Sequence, residues 1–334
     1  MPSLVRTLLL GIIPAYFVNC HAADSLGSMY RIDVHSHAIP AIWKQAMISA
    51  GFPVKNGTLY NDGAPVPDWT LDSHISAMDN LGVNYSTITR RINLLLHEYT
   101  QTYPTRLGAL CLLPLPHVSE AVEEIRFCMD VLKFVGVGLY TNANGIYLGD
   151  SALNPVFSAL SSHNASVFVH PASPSCTSVA LDHPIPMTEY PFDTVRAMEN
   201  LLLTGQRAKY PDLKIIFAHG GGAMPYLATR IAGVATLSYA GGISFAETMA
   251  QLTGYYFDLA SATSAIQLTA LKSFIGAGKL VTGIDYPYVP LTQALPGLTG
   301  IQGNGNFTDE EMVSIKYLNA LEIFPRISNA LKLQ

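Results

Sequence analysis

The chain has 334 residues, of which 49% are hydrophobic and 13% charged, with a formal charge of -5. That composition excludes a long disordered region and provides no basic footprint for nucleic acid, so small-molecule partners are favoured. The length suits one α/β barrel, which needs roughly 250 residues plus insertions.

Residues 1–23 differ from the rest. Arg6 precedes the apolar run Leu8 to Val18, and Cys20, His21, Ala22 and Ala23 follow. This is the arrangement of a secretory signal with cleavage near Ala22, or of a hydrophobic extension packed on the domain. Residues 24–334 read as a single domain, with no linker or internal repeat dividing them. Sequons at Asn56, Asn84, Asn164 and Asn306 permit glycosylation on the secretory route.

From residue 30 onward, eight short β-branched or apolar runs, most of them almost continuously apolar, alternate with helix-like stretches. They are Arg31 to Val34, Tyr85 to Thr89, Leu107 to Leu112, Val135 to Leu139, Ser166 to Val169, Lys214 to Ala218, Tyr255 to Leu259 and Lys279 to Ile284. Strands covered on both faces are apolar throughout, and each run is followed by a polar, Gly-rich or Pro-rich loop. The fold expected is a (β/α)₈ TIM barrel with an insertion after strand one, the segment Ile39 to Asp68, overhanging the C-terminal mouth. Helices are expected over Asp72 to Met78 and Ser119 to Ile125, the second with Ser119 as its N-cap. If the leader carries Cys20 away, Cys111, Cys128 and Cys176 remain, an odd number that argues against a disulfide framework. Cys111 and Cys128 are expected to be small buried hydrophobes.

The chemistry sits at strand ends. In Asp33-Val34-His35-Ser36-His37 the period of two puts both imidazoles on one side of the chain, where they can grip a single divalent ion. Later strands end in His170, His219 and Asp285. In a barrel all C-terminal strand ends converge, so these residues become neighbours. Three nitrogens and a carboxylate suit Zn²⁺, with Mn²⁺ or another first-row ion compatible.

These motifs resemble the amidohydrolase superfamily. The resemblance rests on Asp33 to His37, Phe168-Val169-His170-Pro171, His219-Gly220-Gly221-Gly222 and Gly283-Ile284-Asp285-Tyr286-Pro287, and it runs from about Arg31 to Arg326. Within the superfamily the chain is similar to the aminocarboxymuconate semialdehyde decarboxylase branch. Gly136 to Leu139, Tyr147 to Asp150 and Glu189 to Thr194 look like fungal 6-methylsalicylate decarboxylases, which make m-cresol in polyketide pathways. The resemblance implies His35, His37, His170 and Asp285 as ligands of one metal ion, with His219 beside them as acid-base residue. It implies a single ion because Leu139-Tyr140-Thr141-Asn142 stands where binuclear relatives carry a lysine. It also implies a homodimer in which Arg230 reaches the partner's substrate. One departure is a loop after Thr89 that is shorter by roughly a dozen residues, on the face where loops build the pocket.

Loss of CO₂ from a hydroxybenzoate requires a proton at the ring carbon bearing the carboxylate, and either Asp285 or His219 can deliver it. Phe192, Tyr190 and Tyr288 are candidates for the aromatic wall of the pocket, or for ordinary core. Asp258 serves either rim hydrogen bonding or catalysis. His74, His97, His117, His163 and His183 are expected at the surface or at helix caps. Gly220 to Gly222 are expected to allow close approach of backbone to the metal site. Metal-dependent hydrolysis of a lactone or amide, and a non-catalytic metal-stabilised binding protein, are the competing functions.

Overall fold

The computed structural model describes residues 31–83, 85–90, 93–303 and 306–331. The leader expected over residues 1–23 lies outside them. Eight parallel strands form one sheet, numbered here β1 Ile32–His37, β2 Tyr85–Arg90, β3 Leu107–Leu112, β4 Gly136–Tyr140, β5 Val167–His170, β6 Ile215–Phe217, β7 Tyr256–Asp258 and β8 Leu280–Val281. Spatial order follows chain order. The sheet closes on itself where Val34 N–H donates to Thr282 O (3.1 Å) and His37 N–H to Tyr286 O (2.7 Å), with a parallel bridge between Ser36 and Tyr286. This is the expected (β/α)₈ barrel.

Pleating divides the apolar residues between two cores. Leu110, Phe168, Ile216 and Val281 belong to an inner cluster that fills the barrel, closed by Ala320, Ile323, Phe324 and Ile327 from the C-terminal helices. Their strand neighbours Ala109, Cys111, Val167, Val169, Ile215 and Phe217 belong to an outer cluster packed beneath the helices. β3, β4, β5 and β6 are therefore apolar along most of their length because both faces are covered.

The helices that follow the strands in turn are α1 Leu71–Leu81, α2 Asn93–Thr102, α3 Val118–Arg126, α4 Asn154–Ser162, α5 Glu189–Leu203, α6 Met224–Ala235, α7 Ala265–Ile275 and α8 Leu291–Gly303. Capping boxes start α1 (Thr70 with Ser73) and α7 (Ser264 with Gln267), and Gly82 ends α1 at φ 63, a conformation glycine adopts without strain. The second expected helix begins one residue early. His117 occupies the cap position of α3 and Ser119 Oγ donates instead to Glu120, so Ser119 is not the N-cap. Between β1 and α1 lie a helix, Ala41–Ser49, and three short antiparallel strands, Val54–Lys55, Thr58–Asn61 and Ala64–Pro65. Residues 91 and 92, between β2 and α2, lie outside the described residues, where the short loop was expected.

The expectation for the cysteines is overturned. Cys111, at the end of β3, forms a disulfide with Cys128, just beyond α3. Both are fully buried, and the parity argument failed because β3 and the following helix pack face to face whatever becomes of Cys176, which is exposed. Asn93 knits the same corner, its amide donating to Leu112 O (3.0 Å) and to Glu124 (2.5 Å).

Candidate active site

β1, β5 and the segment after β8 bring His35, His37, His170 and Asp285 together, with one ligand-type atom from each within 4.8 Å of the others. The pairs His35 Nε2 to His37 Nε2 (3.2 Å), His35 Nε2 to Asp285 Oδ1 (3.3 Å) and His37 Nε2 to Asp285 Oδ1 (3.0 Å) are nearly equal. Those separations match the edges, roughly 3 Å, of a coordination shell with metal–ligand bonds near 2.1 Å. Asp285 Oδ1 is buried and has nitrogens close by, yet none meets it in hydrogen-bond geometry. Nitrogens and oxygen point at a common centre, so the donor set fits one divalent cation.

Electrostatics agree. Burial alone would lower the imidazole of His35, but the carboxylates of Asp258 and Asp285 raise it to about 10. Burial lowers His37 and drives His170 well below its usual value. Burial works against ionisation of Asp285, yet the surrounding imidazoles of His35, His219 and His37 hold its carboxyl well below the usual range. The carboxylates demand positive charge that the buried imidazoles cannot all supply.

The outer hydrogen bonds set ring orientation. His35 Nδ1 pairs with Asp258 Oδ2 at 2.9 Å and His170 Nδ1 with Pro171 O at 2.7 Å, turning both Nε2 atoms toward the centre. Asp258 also accepts from the backbone N–H of His219 (3.0 Å) and of Ala260 (2.9 Å). It is fully buried, so the question left open by sequence resolves in favour of positioning. Asp33 accepts from the N–H of His35 (3.0 Å) and of Ile284 (3.2 Å), pinning β1 to the rim beyond β8. The eighth strand ends at Val281, earlier than expected, although Asp285 N–H still donates to His35 O at 2.8 Å; Asp285 takes φ 59. His219, at φ 57, is likewise left-handed, and its Nε2 lies 3.4 Å from Asp285 Oδ2. His219 and Asp285 are two of the ten described non-glycine residues at positive φ, and these two sit at the site.

The glycines after His219 do approach something closely, but it is not the ligand cluster. A Cβ on Gly221 would lie 2.8 Å from the Phe257 ring, and one on Gly222 would collide with Pro191 O. These glycines let the turn nest between β7 and α5. At Gly283, by contrast, a Cβ would lie 2.9 Å from Asp258 Cγ and 3.0 Å from His35 Cβ.

Tyr288 packs edge-on to His37 (5.1 Å between centroids) and Tyr190 to His170 (5.7 Å). Tyr140, which sequence reading passed over, meets His170 at 6.2 Å. Phe192 is not gathered in; it is 42% exposed on α5, because Asp193 next to it takes the inward position and accepts from Thr141 and Asn142. Arg230 is exposed on α6.

His74 corrects another expectation. It is buried on the face of α1 that also carries Ala77, Met78 and Leu81, a helical spacing visible in the sequence. Its Nδ1 accepts from Trp69 Nε1 at 3.2 Å, so the neutral ring carries its proton on Nε2, which has no partner among the described residues. Burial, and then His37, lower its pKa to about 4. His163 behaves as expected, bonding Ala159 O at the end of α4.

Residues 32–326 match the Amidohydrolase family model. Decarboxylase macB of Penicillium terrestre is 32% identical over 337 residues, covering 89% of this chain and 96% of that one. The 6-methylsalicylic acid decarboxylase of Penicillium expansum is 30% identical over 327 residues, covering 91% and 98%. A crystal structure of an amidohydrolase II superposes with a TM-score of 0.81 at 27% identity, covering 88% and 99%. The chain belongs to the amidohydrolase family. The two relatives named above are decarboxylases, and the chain is a carboxy-lyase with a site suited to a divalent metal.

Proposed function

We propose that the protein is a nonoxidative decarboxylase of a small aromatic hydroxy acid, with 6-methylsalicylate, giving m-cresol and CO₂ in fungal polyketide secondary metabolism, as the first substrate to test. The observation that carries this reading is the convergence of His35, His37, His170 and Asp285 within 4.8 Å. These four would hold one ion, Zn²⁺ by its donor set with Mn²⁺ as the alternative. When bound, the cation supplies Lewis-acid polarisation of the substrate's carboxylate and ortho oxygen.

The chain's own groups do the rest. His219 Nε2 and Asp285 Oδ2 lie 3.4 Å apart, and either residue can deliver the proton to the ring carbon bearing the carboxylate. As that C–H bond forms, the bond to the carboxylate breaks and CO₂ leaves, which restores the aromatic ring. Asp258 holds His35 and the backbone of His219 so that proton donor and ligands keep their spacing. Tyr288 gives the ring an aromatic wall.

Arg230 reaches the partner's site in a homodimer. In support, α6 exposes Tyr226 (88%) one helical turn before that arginine, and the turn after the helix exposes Tyr239 (83%). The buried Cys111–Cys128 disulfide fits passage through an oxidising secretory route.

The test is incubation of metal-loaded protein with 6-methylsalicylate, reading m-cresol by chromatography together with CO₂ release. Absence of CO₂ from a whole panel of hydroxybenzoates would overturn decarboxylation; ring opening of a lactone without CO₂ would favour hydrolysis.

A further inference from the structure

His35 and His170 are backed in different ways. A buried carboxylate oxygen, Asp258 Oδ2, meets His35 Nδ1 directly at 2.9 Å. The partner of His170 Nδ1 is a backbone carbonyl, Pro171 O at 2.7 Å, from the next residue in the chain. A carbonyl fixes a ring only as firmly as its own loop is fixed. That loop spans residues 171–188, between β5 and α5, and its helical elements are the short turns Thr177–Ala180 and Ile185–Met187. Long connections of this kind are free to move unless they are tied to the frame.

The start of this loop is tied at two places to the end of β4. Ala172 N–H donates to Thr141 Oγ1 (2.9 Å), and Asn142 Nδ2 donates to Ser173 O (3.1 Å). Thr141 N–H extends the ladder by donating to His170 O at 3.0 Å. Both side chains converge on one acceptor. Thr141 Oγ1 donates to Asp193 Oδ2, and Asn142 Nδ2 donates to the same oxygen at 3.0 Å. The Tyr147 hydroxyl donates to Asp193 Oδ1 at 2.5 Å; burial and then that carboxylate hold the phenol above its ordinary value, so it remains a donor. Asp193 is fully buried on α5, and a half-exposed Arg196 stands 3.7 Å from it as countercharge. Burying a carboxylate costs free energy that an apolar residue would not incur. What this one secures is the pair of side chains that fix residues 172 and 173.

We propose that Asp193 is a positioning residue for His170, the counterpart of Asp258 for His35: through Thr141 and Asn142 it fixes the Pro171 carbonyl, which turns His170 Nε2 toward the metal. This rests on the reading of His170 as a ligand. Asp193 acts at one remove, so its loss loosens a ligand without removing it.

The experiment titrates Co²⁺ into metal-free protein against a chelator, and reads the visible spectrum of the loaded protein and the melting temperature of the metal-free protein alongside. Asp193→Asn places an N–H₂ group among donors. Thr141→Val removes the hydroxyl that bridges Asp193 and Ala172, Thr141→Ser keeps it, and His170→Ala is the reference for loss of the ligand. Expected are a Co²⁺ affinity lower by ~10-fold in Asp193→Asn and in Thr141→Val, spectra shifted toward that of His170→Ala, and wild-type behaviour in Thr141→Ser. Asp193→Asn combined with Thr141→Val should lose less than the two losses multiplied, because both act through one chain of bonds. A purely structural role would lower the melting temperature and leave affinity and spectrum unchanged, and that result overturns the proposal. If Asp193→Asn fails to fold, the Thr141 pair decides, and wild-type affinity in Thr141→Val overturns it. Wild-type affinity in His170→Ala overturns the ligand reading itself, and the proposal with it.

Discussion

Two sides of the barrel are built from the same kind of strand and end differently. On the side of β1, β5, β6, β7 and β8 the strands run out into imidazoles and carboxylates, with His219 and Asp285 held at positive φ and Asp285 Oδ1 lacking a hydrogen bond. On the side of β3, the end is closed by the Cys111–Cys128 disulfide and by Asn93, whose amide meets Leu112 and Glu124. The first side gathers convergent lone pairs, which a cation would satisfy; the second satisfies its polar groups internally and covalently. Unmet polar atoms belong where a ligand is to be bound, and stability is supplied elsewhere in the same sheet.

The comparison breaks most visibly if a ligand is removed. Asp285→Asn is expected to strip the site of metal and lower turnover by ~10³-fold or more, since ligand and proton donor are lost together. Metal analysis and CO₂ release check it, and retention of a full equivalent of metal would contradict the ligand assignment. On the other side, Cys111→Ala with Cys128→Ala should cost about 3 kcal/mol, because the bridge closes a loop of 17 residues. Chemical denaturation measures that cost. Metal content should not change, and a drop in it would show that the two sides are coupled.

The third test probes the supports. Asp258→Asn should weaken metal affinity by ~10 to 100-fold with little change in melting, and Gly283→Ala should do the same by pushing on Asp258 and His35. Chelator competition reads both. The smallest effect concerns His74, which burial and then His37 lower to about 4 from the ordinary imidazole value of 6.5. Between those values the unfolded chain binds a proton that the fold refuses, so stability falls as pH drops through that window. The contribution is roughly 2 kcal/mol between pH 7 and pH 5, and His74→Gln should flatten the pH dependence of denaturation by about that amount. An unchanged slope would show that the ring charges without penalty.

The eight strands and the meeting of His35, His37, His170, His219 and Asp285 were legible in the sequence. Apolar runs ending in a polar residue can only converge once a parallel barrel closes, and that inference needs no side-chain detail. Asp258 carried the same strand-end signal, and His74 shared a helical spacing with Ala77, Met78 and Leu81. Asp258 was read with both roles open, whereas the spacing of His74 was passed over. Three outcomes depended on packing across distant segments. Phe192 turned outward because Asp193 claimed the inward position, Cys111 met Cys128 because β3 packs on the helix that follows it, and Asp62 reached Tyr190 across 128 residues of chain. Periodicity and residue type set which groups end a strand; the distances between elements, which fix partners and pocket walls, exist only after the barrel has closed.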